Sequence, residues 1–93
     1  MKVYLTPRAR TDIADIYEYI AADSPIHAGR LVSQLLLKAS ELGRFPQIGR
    51  VIAKYNNPDL RERLYRDYRI AYRVKANVIE VLTIRHVARL SEN

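Results

Sequence analysis

Apolar side chains in the first part of the chain recur with the spacing of an amphipathic helix. After Thr6-Pro7 they follow one another in steps of three and four up to about Ala22, which puts them on one helical face. Threonine is a good N-cap, and proline at the first helical position has no N–H to leave unpaired. The pattern therefore predicts helix one from Pro7 to about Ala22, after a short strand from Lys2 to Leu5.

A second helical pattern follows almost at once. Ser24 supplies the cap, Pro25 opens the helix, and Gly43 is suited to end it in a left-handed conformation. The connection is so short that the two helices must run antiparallel. Because the apolar stripe of helix two is wider than one flat contact needs, we expect it to pack on both helix one and a sheet. This is favoured over a second, exposed binding stripe.

The second half of the chain shows strand patterns. Residues 44–59 are punctuated by proline, glycine and asparagine and predict a loop. Three strand-like runs follow: Leu60 to Tyr65, Tyr68 to Val74 and Val78 to Arg85. The last is almost continuously aliphatic, as in a central strand that is covered on both faces. Lys75, Ala76 and Asn77 predict the turn before it, with Asn77 at a positive φ angle.

These elements predict a single α+β domain over residues 1–93 with the order β-α-α-β-β-β. An N-terminal strand is followed by an antiparallel two-helix hairpin and a three-stranded antiparallel meander, with the helices packed on one face of the sheet.

The stretch from Arg61 to Arg73, RERLYRDYRIAYR, holds five arginines and three tyrosines. Opposed residues of a hairpin share a face. A two-residue loop would mix core and solvent positions, whereas a three-residue connection at 66–68 opposes Leu64 to Ile70. We therefore predict the longer loop. It gives a core face of Leu60, Leu64, Ile70, Tyr72 and Val74, and a basic face of Arg61, Arg63, Tyr65, Arg69 and Arg73.

The distribution of charge along the chain indicates what kind of partner the protein binds. The formal charge is +6, and residues 44–93 carry eleven basic and five acidic side chains, whereas residues 1–43 carry five of each. Twelve of the sixteen cations are arginine, which suits bidentate contacts with phosphate and carboxylate. A polyanionic partner is expected, either nucleic acid or an acidic protein segment.

Other classes of function lack support in the sequence. There is no cysteine, no apolar stretch long enough for a signal peptide or a membrane span, and no phosphate loop, HExxH motif or serine elbow. We therefore expect a cytoplasmic protein with no cofactor and no metal. His27 is expected at the surface. His86 is a candidate general acid or base, although a lone histidine is more often structural.

Two segments match a known family in sequence and in position: YRIAYRV at 68–74 and VIEVLTIRHVAR at 78–89. Together with the predicted order of elements, they resemble the RelE/ParE superfamily of bacterial toxins from type II toxin–antitoxin modules. TPRARTDIADIYEYIA, PQIGR at 46–50 and the Arg61-Glu62 pair are similar to ParE-type members in particular. The likeness covers nearly the whole chain.

The resemblance implies one of two activities. ParE-like members bind and poison DNA gyrase without chemistry of their own, whereas RelE-like members cut mRNA in the ribosomal A site. Residues that match the nuclease positions are Arg61, Arg63, Arg69 and Arg89, with His86 to move protons. Nuclease members also carry a tyrosine near the C-terminus, and here none follows Tyr72. The long hairpin and the HVAR ending are closer to ParE, so gyrase inhibition is favoured over enzymatic activity.

Either activity implies a cognate antitoxin with an acidic C-terminal segment, assembled with the toxin as an oligomer. That segment would lay a helix on the hairpin or add a strand to the sheet edge. The residues predicted to bind it are Arg61, Arg63, Arg69, Arg73, Leu31 and Leu36. A third hypothesis is a non-toxic member that acts only within a repressor complex.

Overall fold

The computed structural model describes residues 1–88, so the predicted nuclease residue Arg89 lies outside the described part. The elements are β1 (Lys2–Leu5), α1 (Pro7–Ala21), α2 (Pro25–Ser40), a 3₁₀ turn (Glu41–Gly43), β2 (Arg50–Val51), a second 3₁₀ turn (Ala53–Tyr55), β3 (Leu60–Tyr65), β4 (Tyr68–Val74) and β5 (Val78–His86). The predicted α+β fold is confirmed, with the extra strand β2 inside the predicted loop.

The strands form one mixed sheet in the order β1-β5-β4-β3-β2. β1 runs parallel to β5, and the remaining neighbours are antiparallel, including the predicted meander β3-β4-β5. Both helices pack on one face of the sheet, which we call the covered face; the opposite one is the open face. The core on the covered face consists of Ala9, Ile16, Leu35, Ala39, Leu42, Tyr68, Ile70, Tyr72, Ile79, Val81 and Ile84.

Local capping explains why the helices begin where the sequence predicts. Thr6 Oγ1 accepts the Ala9 N–H at 3.1 Å, and Ser24 Oγ accepts the His27 N–H at 3.2 Å. Each cap satisfies one of the amide groups that the first helical turn leaves unpaired. Both helices therefore start at a proline that follows a hydroxyl residue.

The start of α1 also protects the central strand β5. β1 ends at Leu5, so β5 has no strand neighbour on that side beyond Val81. Thr6 Oγ1 donates to the Leu82 carbonyl at 3.0 Å, and Asp12 Oδ2 accepts the Ile84 N–H at 2.9 Å. These side chains take the place of a strand along this edge.

Three local predictions are wrong. β5 is central but covered on one face only, because both helices lie on the same side; Glu80 and Thr83 on its open face are half-buried. Asn77 does not adopt a positive φ angle, and neither does Gly43. Gly43 is needed for a different reason: a Cβ atom there would collide with the backbone carbonyl oxygen of Met1.

The predicted register of the β3–β4 hairpin is also wrong. Tyr65 pairs with Tyr68 across a two-residue turn, so Leu64 opposes Arg69 and Arg63 opposes Ile70. Leu64 is 49% exposed on the open face, whereas Ile70 is fully buried on the covered face. The turn closes in two residues because Arg66 adopts a left-handed backbone conformation (φ 51°), as a tight hairpin requires.

A buried tyrosine fixes the segment that precedes β2. The Tyr72 hydroxyl donates to the Pro46 carbonyl at 2.8 Å and accepts the Gly49 N–H at 2.9 Å. A Cβ atom on residue 49 would lie 2.6 Å from that hydroxyl and 2.7 Å from the Glu62 carbonyl oxygen, so only glycine allows this approach. The PQIGR string is thus the segment that Tyr72 ties to the sheet.

We predict that Tyr72→Phe lowers the free energy of unfolding by about 1–3 kcal/mol, since it leaves the Pro46 carbonyl and the Gly49 N–H unpaired in a buried site. Urea unfolding followed by circular dichroism measures the change. Tyr17→Phe, at an exposed position of α1, is the matched control and is expected to stay within about 0.5 kcal/mol of wild type. Equal midpoints for the two variants would show that the Tyr72 hydroxyl does not hold the segment.

Candidate functional site

The structure divides the predicted basic face between the two sides of the sheet. Arg61 opposes Tyr72 and Arg63 opposes Ile70, so both arginines lie on the covered face. Arg69 and Arg73 lie on the open face, in register with Leu64 and Leu60. The prediction of one basic face is therefore wrong, because the shorter turn shifts the pairing of β3 by one residue.

Arg63 stabilises the end of α2. Its Nη1 donates to the Lys38 carbonyl at 2.9 Å and to Glu41 Oε1 at 2.8 Å. The last carbonyl groups of a helix have no partner within the helix, and a cation there is favourable. Because the Arg63 side chain is only 15% exposed, it acts as a cap and joins β3 to the helical layer.

Arg61 holds the segment that leads into and out of β2. Its Nη1 donates to the Gly49 carbonyl and its Nε to the Pro58 carbonyl, both at 2.9 Å. Burial raises the pKa of the neighbouring Tyr72 phenol, although the Gly49 hydrogen bond and the charges of Arg61 and Arg63 oppose the rise. The Tyr72 hydroxyl thus stays protonated at neutral pH and remains a donor to the Pro46 carbonyl.

The open face of the sheet keeps a cluster of cations. We call them the open-face arginines: Arg50, Arg69, Arg73 and Arg85. Arg69 and Arg85 are directly opposed on β4 and β5, a like-charge pair that disfavours folding. The Glu62 carboxylate lies 2.9 Å from Arg50 Nη2 and 3.9 Å from Arg69 Nη1, and the Arg69 Nε is buried with no hydrogen-bond partner. The cluster therefore retains an excess of positive charge.

Arg50 and Arg85 were absent from the predicted site. Arg85 follows the core residue Ile84 in β5, so side-chain alternation alone assigns it to the open face. Arg50 lies in β2, within the segment 44–59 that the sequence predicts as a loop, and pairing with Glu62 brings it to the open face. No local signal in the sequence identifies a two-residue strand.

The two predicted apolar contacts differ in exposure. Leu31 is partly buried and packs against the core, whereas Leu36 is 38% exposed on α2. Ile26 and Leu37 are exposed on the same helix. The outer surface of α2 therefore offers more apolar area than the two predicted leucines.

The two histidines lie apart from the open-face arginines. His27 is exposed near the start of α2, as predicted. His86 ends β5 on the covered face, where its ring meets Tyr68 edge-on at 5.1 Å and its Nδ1 accepts the Ala88 N–H. His86 and Arg69 are thus on opposite faces of the sheet.

Neither a metal centre nor a membrane-spanning helix is found within residues 1–88. No group of three or more histidine, cysteine, aspartate or glutamate side chains in this range is arranged to hold a metal ion. In the same range, no helix has the length and apolar character needed to cross a bilayer.

Comparison with known proteins supplies the family. A family model described as "ParE toxin of type II toxin-antitoxin system, parDE" matches residues 3–90. The chain belongs to this ParE toxin family. The resemblance found in the sequence to the RelE/ParE superfamily is therefore confirmed, including its ParE branch.

Two relatives span almost the whole ParE-family domain. A Caulobacter vibrioides protein named "Toxin RelE2" is 34% identical over 90 residues, which is 96% of this chain and 98% of the relative. A solved structure titled "Chromosomal ParDE TA system from P. aeruginosa" superposes with a TM-score of 0.78 at 26% identity, and covers 94% of this chain and 96% of its own. The fold of this ParE-family chain is therefore shared over 94% of its length.

We predict that Arg63→Gln lowers the free energy of unfolding by about 1.5–3 kcal/mol, because it removes charge-assisted hydrogen bonds at the end of α2. Arg73→Gln removes the same charge from the exposed open face and is expected to change stability by less than about 0.5 kcal/mol. Urea denaturation compares the two variants. A double-mutant cycle with Glu41→Gln then isolates the ion pair. Additive effects would show that the ion pair contributes nothing measurable, and equal stability of Arg63→Gln and Arg73→Gln would contradict the capping role of Arg63.

Proposed function

We propose that this ParE-family toxin inhibits DNA gyrase by direct protein binding, and that a cognate antitoxin with an acidic C-terminal segment neutralises it. Because gyrase and the antitoxin are both expected in the cytoplasm, we propose that the toxin acts there. The observation that carries the proposal is the split of the hairpin arginines. The two on the covered face are engaged in holding the fold, and those on the open face are left for partners.

The alternative of mRNA cleavage needs several groups at one place. Cations must surround the phosphorane, and another group must move protons. Arg61 and Arg63 donate to backbone carbonyls and to Glu41 on the covered face, whereas Arg69 lies on the open face. This separation weighs against a nuclease centre made of these three arginines.

The available proton-moving groups weigh the same way. The Tyr72 hydroxyl is buried between the Pro46 carbonyl and the Gly49 N–H, and burial raises its pKa. His86 lies on the covered face, away from Arg69. Arginine stays protonated and is a poor base. A toxin that acts by protein binding has no need of such a group.

The helical layer has a surface suited to a protein partner. Large apolar side chains are exposed on it: Tyr17, Tyr19, Ile26, Leu36 and Leu37. Aromatic residues are enriched in the centres of protein interfaces, where a few anchors supply most of the binding energy. This surface supports the binding of a protein target or of an antitoxin helix.

The antitoxin has two further places to bind. β2 pairs only with Arg61 and Glu62, so the edge of β3 from residue 63 to 65 has no strand neighbour within the described part of the chain. An extended segment can add there as a strand. Arg69 of the open-face arginines pairs with Leu64 in this edge, and the cluster as a whole matches an acidic segment in charge. We therefore propose Arg69 and Arg73 as antitoxin contacts and assign Arg61 and Arg63 to structural roles.

We predict that the purified protein blocks supercoiling by gyrase, or traps cleaved DNA, and leaves ribosome-bound mRNA intact. Both assays are run on one preparation. Arg69→Ala is the informative variant, since loss of one cation at an exposed protein surface has a modest effect, whereas loss of a phosphorane-stabilising arginine costs about 100-fold or more in rate. Cutting of mRNA that Arg69→Ala abolishes would establish the nuclease alternative.

A growth assay distinguishes a toxin from a non-toxic family member. Expression without the antitoxin is expected to arrest growth, and co-expression with a cognate antitoxin is expected to restore it. Unchanged growth at a verified level of folded protein would favour a member that acts only within a repressor complex.

We also predict that association with the antitoxin slows about tenfold or more as salt rises from low ionic strength to about 0.15 M, because the open-face arginines are then screened. Stopped-flow mixing measures the rate. Arg73→Gln is expected to slow association at low salt, whereas Arg44→Gln, which removes the same charge from the loop after α2, has a smaller effect. A rate independent of salt would assign recognition to the apolar surface of the helices.

A further inference from the structure

A cleft between α2 and the β3–β4 turn brings together both histidines of the sequence. α2 contributes His27 and Arg30, the turn contributes Arg66, and the end of β5 contributes His86. Three segments that are far apart in the sequence therefore line one concave surface. None of the four belongs to the open-face arginines.

The charge of this cleft is unbalanced. Its carboxylate is Asp67. Apart from the two arginines and the two histidines, the remaining lining residues, such as Ile20 from α1 and Gln34 from α2, are uncharged. Within residues 1–88, neither Arg30 nor Arg66 belongs to an ion pair. Two arginines less one aspartate leave a formal charge of +1 when both histidines are neutral.

The turn holds one of these cations in place. Arg66 has its backbone in the left-handed region and its guanidinium 5.6 Å from the centre of the Tyr65 ring, and its Nε donates to the Tyr65 hydroxyl at 3.2 Å. Lys38 lies over the same ring at 5.8 Å. A cation stacked in this way is ordered before a ligand arrives, which lowers the entropic cost of binding.

The two histidines contribute differently. The Nδ1 of His86 accepts the Ala88 N–H, so its neutral ring carries the proton on Nε2 and is a donor without any change of charge. The His27 side chain is exposed and accessible to a ligand.

We propose that this cleft binds carboxylate side chains of the antitoxin's acidic segment, through its two guanidinium groups and its imidazole N–H groups. The choice of the antitoxin rests on the function proposed above. The composition of the cleft does not depend on that choice: it holds two guanidinium groups that form no ion pair within residues 1–88 and two imidazoles, beside a single carboxylate.

The test uses a hexaglutamate peptide with blocked ends as the probe and the imidazole NMR signals as the readout. Two histidines give two assignable sets of signals, identified with His27→Gln and His86→Gln. We expect the peptide to shift both sets of signals at low salt, since both imidazoles line the cleft.

Paired variants decide whether the cleft is the site. Arg30→Gln with Arg66→Gln is expected to weaken peptide binding about tenfold or more, because it removes both guanidinium groups that face the carboxylates. Arg44→Gln with Lys54→Gln removes the same charge elsewhere and serves as the control. Equal losses in the two pairs, or unshifted histidine signals, would overturn the proposal.

A second probe separates an extended acidic segment from a small anion. Inorganic phosphate at matched ionic strength is expected to bind at least about tenfold more weakly than the peptide, since it cannot contact both arginines and both histidines at once. Phosphate that saturates the same signals as tightly would contradict a peptide site. Because no gyrase or antitoxin is present, these outcomes stand apart from the gyrase assay.

Discussion

Closure of the β3–β4 hairpin by only two residues is the constraint on which the two faces of this sheet depend. Arg66 takes the left-handed backbone conformation that the short turn needs, and Tyr65 then pairs with Tyr68. Every side chain of β3 is thereby assigned to a face. Arg61 and Arg63 lie on the covered face, and Leu64 lies on the open face. One turn thus determines which cations are available to a partner.

Polar side chains are tolerated on the covered face because the part of it under β3 is not filled by an apolar helix surface. What lies there is the end of α2 and the segment before β2, both rich in carbonyl groups that need donors. Arg63 meets the Lys38 carbonyl, Arg61 meets the Gly49 carbonyl, and Tyr72 meets the Pro46 carbonyl. Two arginines that match nuclease positions in the sequence, Arg61 and Arg63, are in the structure donors of hydrogen bonds that hold the fold together.

Most of the fold was predictable from residues whose effect on the backbone is local, such as helix caps and strand-forming side chains. The Thr6-Pro7 and Ser24-Pro25 pairs set both helix starts, and the strand bounds at Leu60–Tyr65 and Tyr68–Val74 agree with the structure. The register failed because an arginine at a left-handed turn position is not a turn signal; glycine or asparagine would have been. Likewise β2 is strand only through its pairing with β3, which two residues cannot announce by themselves.

The sequence by itself determined the order of elements, the helix caps, the excess of arginine in the second half and the resemblance to the RelE/ParE superfamily, because each depends on neighbouring residues or on composition. Only the tertiary structure decided which arginines face solvent and that His27 and His86 line one cleft. Those properties depend on pairing between segments distant in sequence, and a shift of one residue in that pairing moves a side chain to the other face of the sheet.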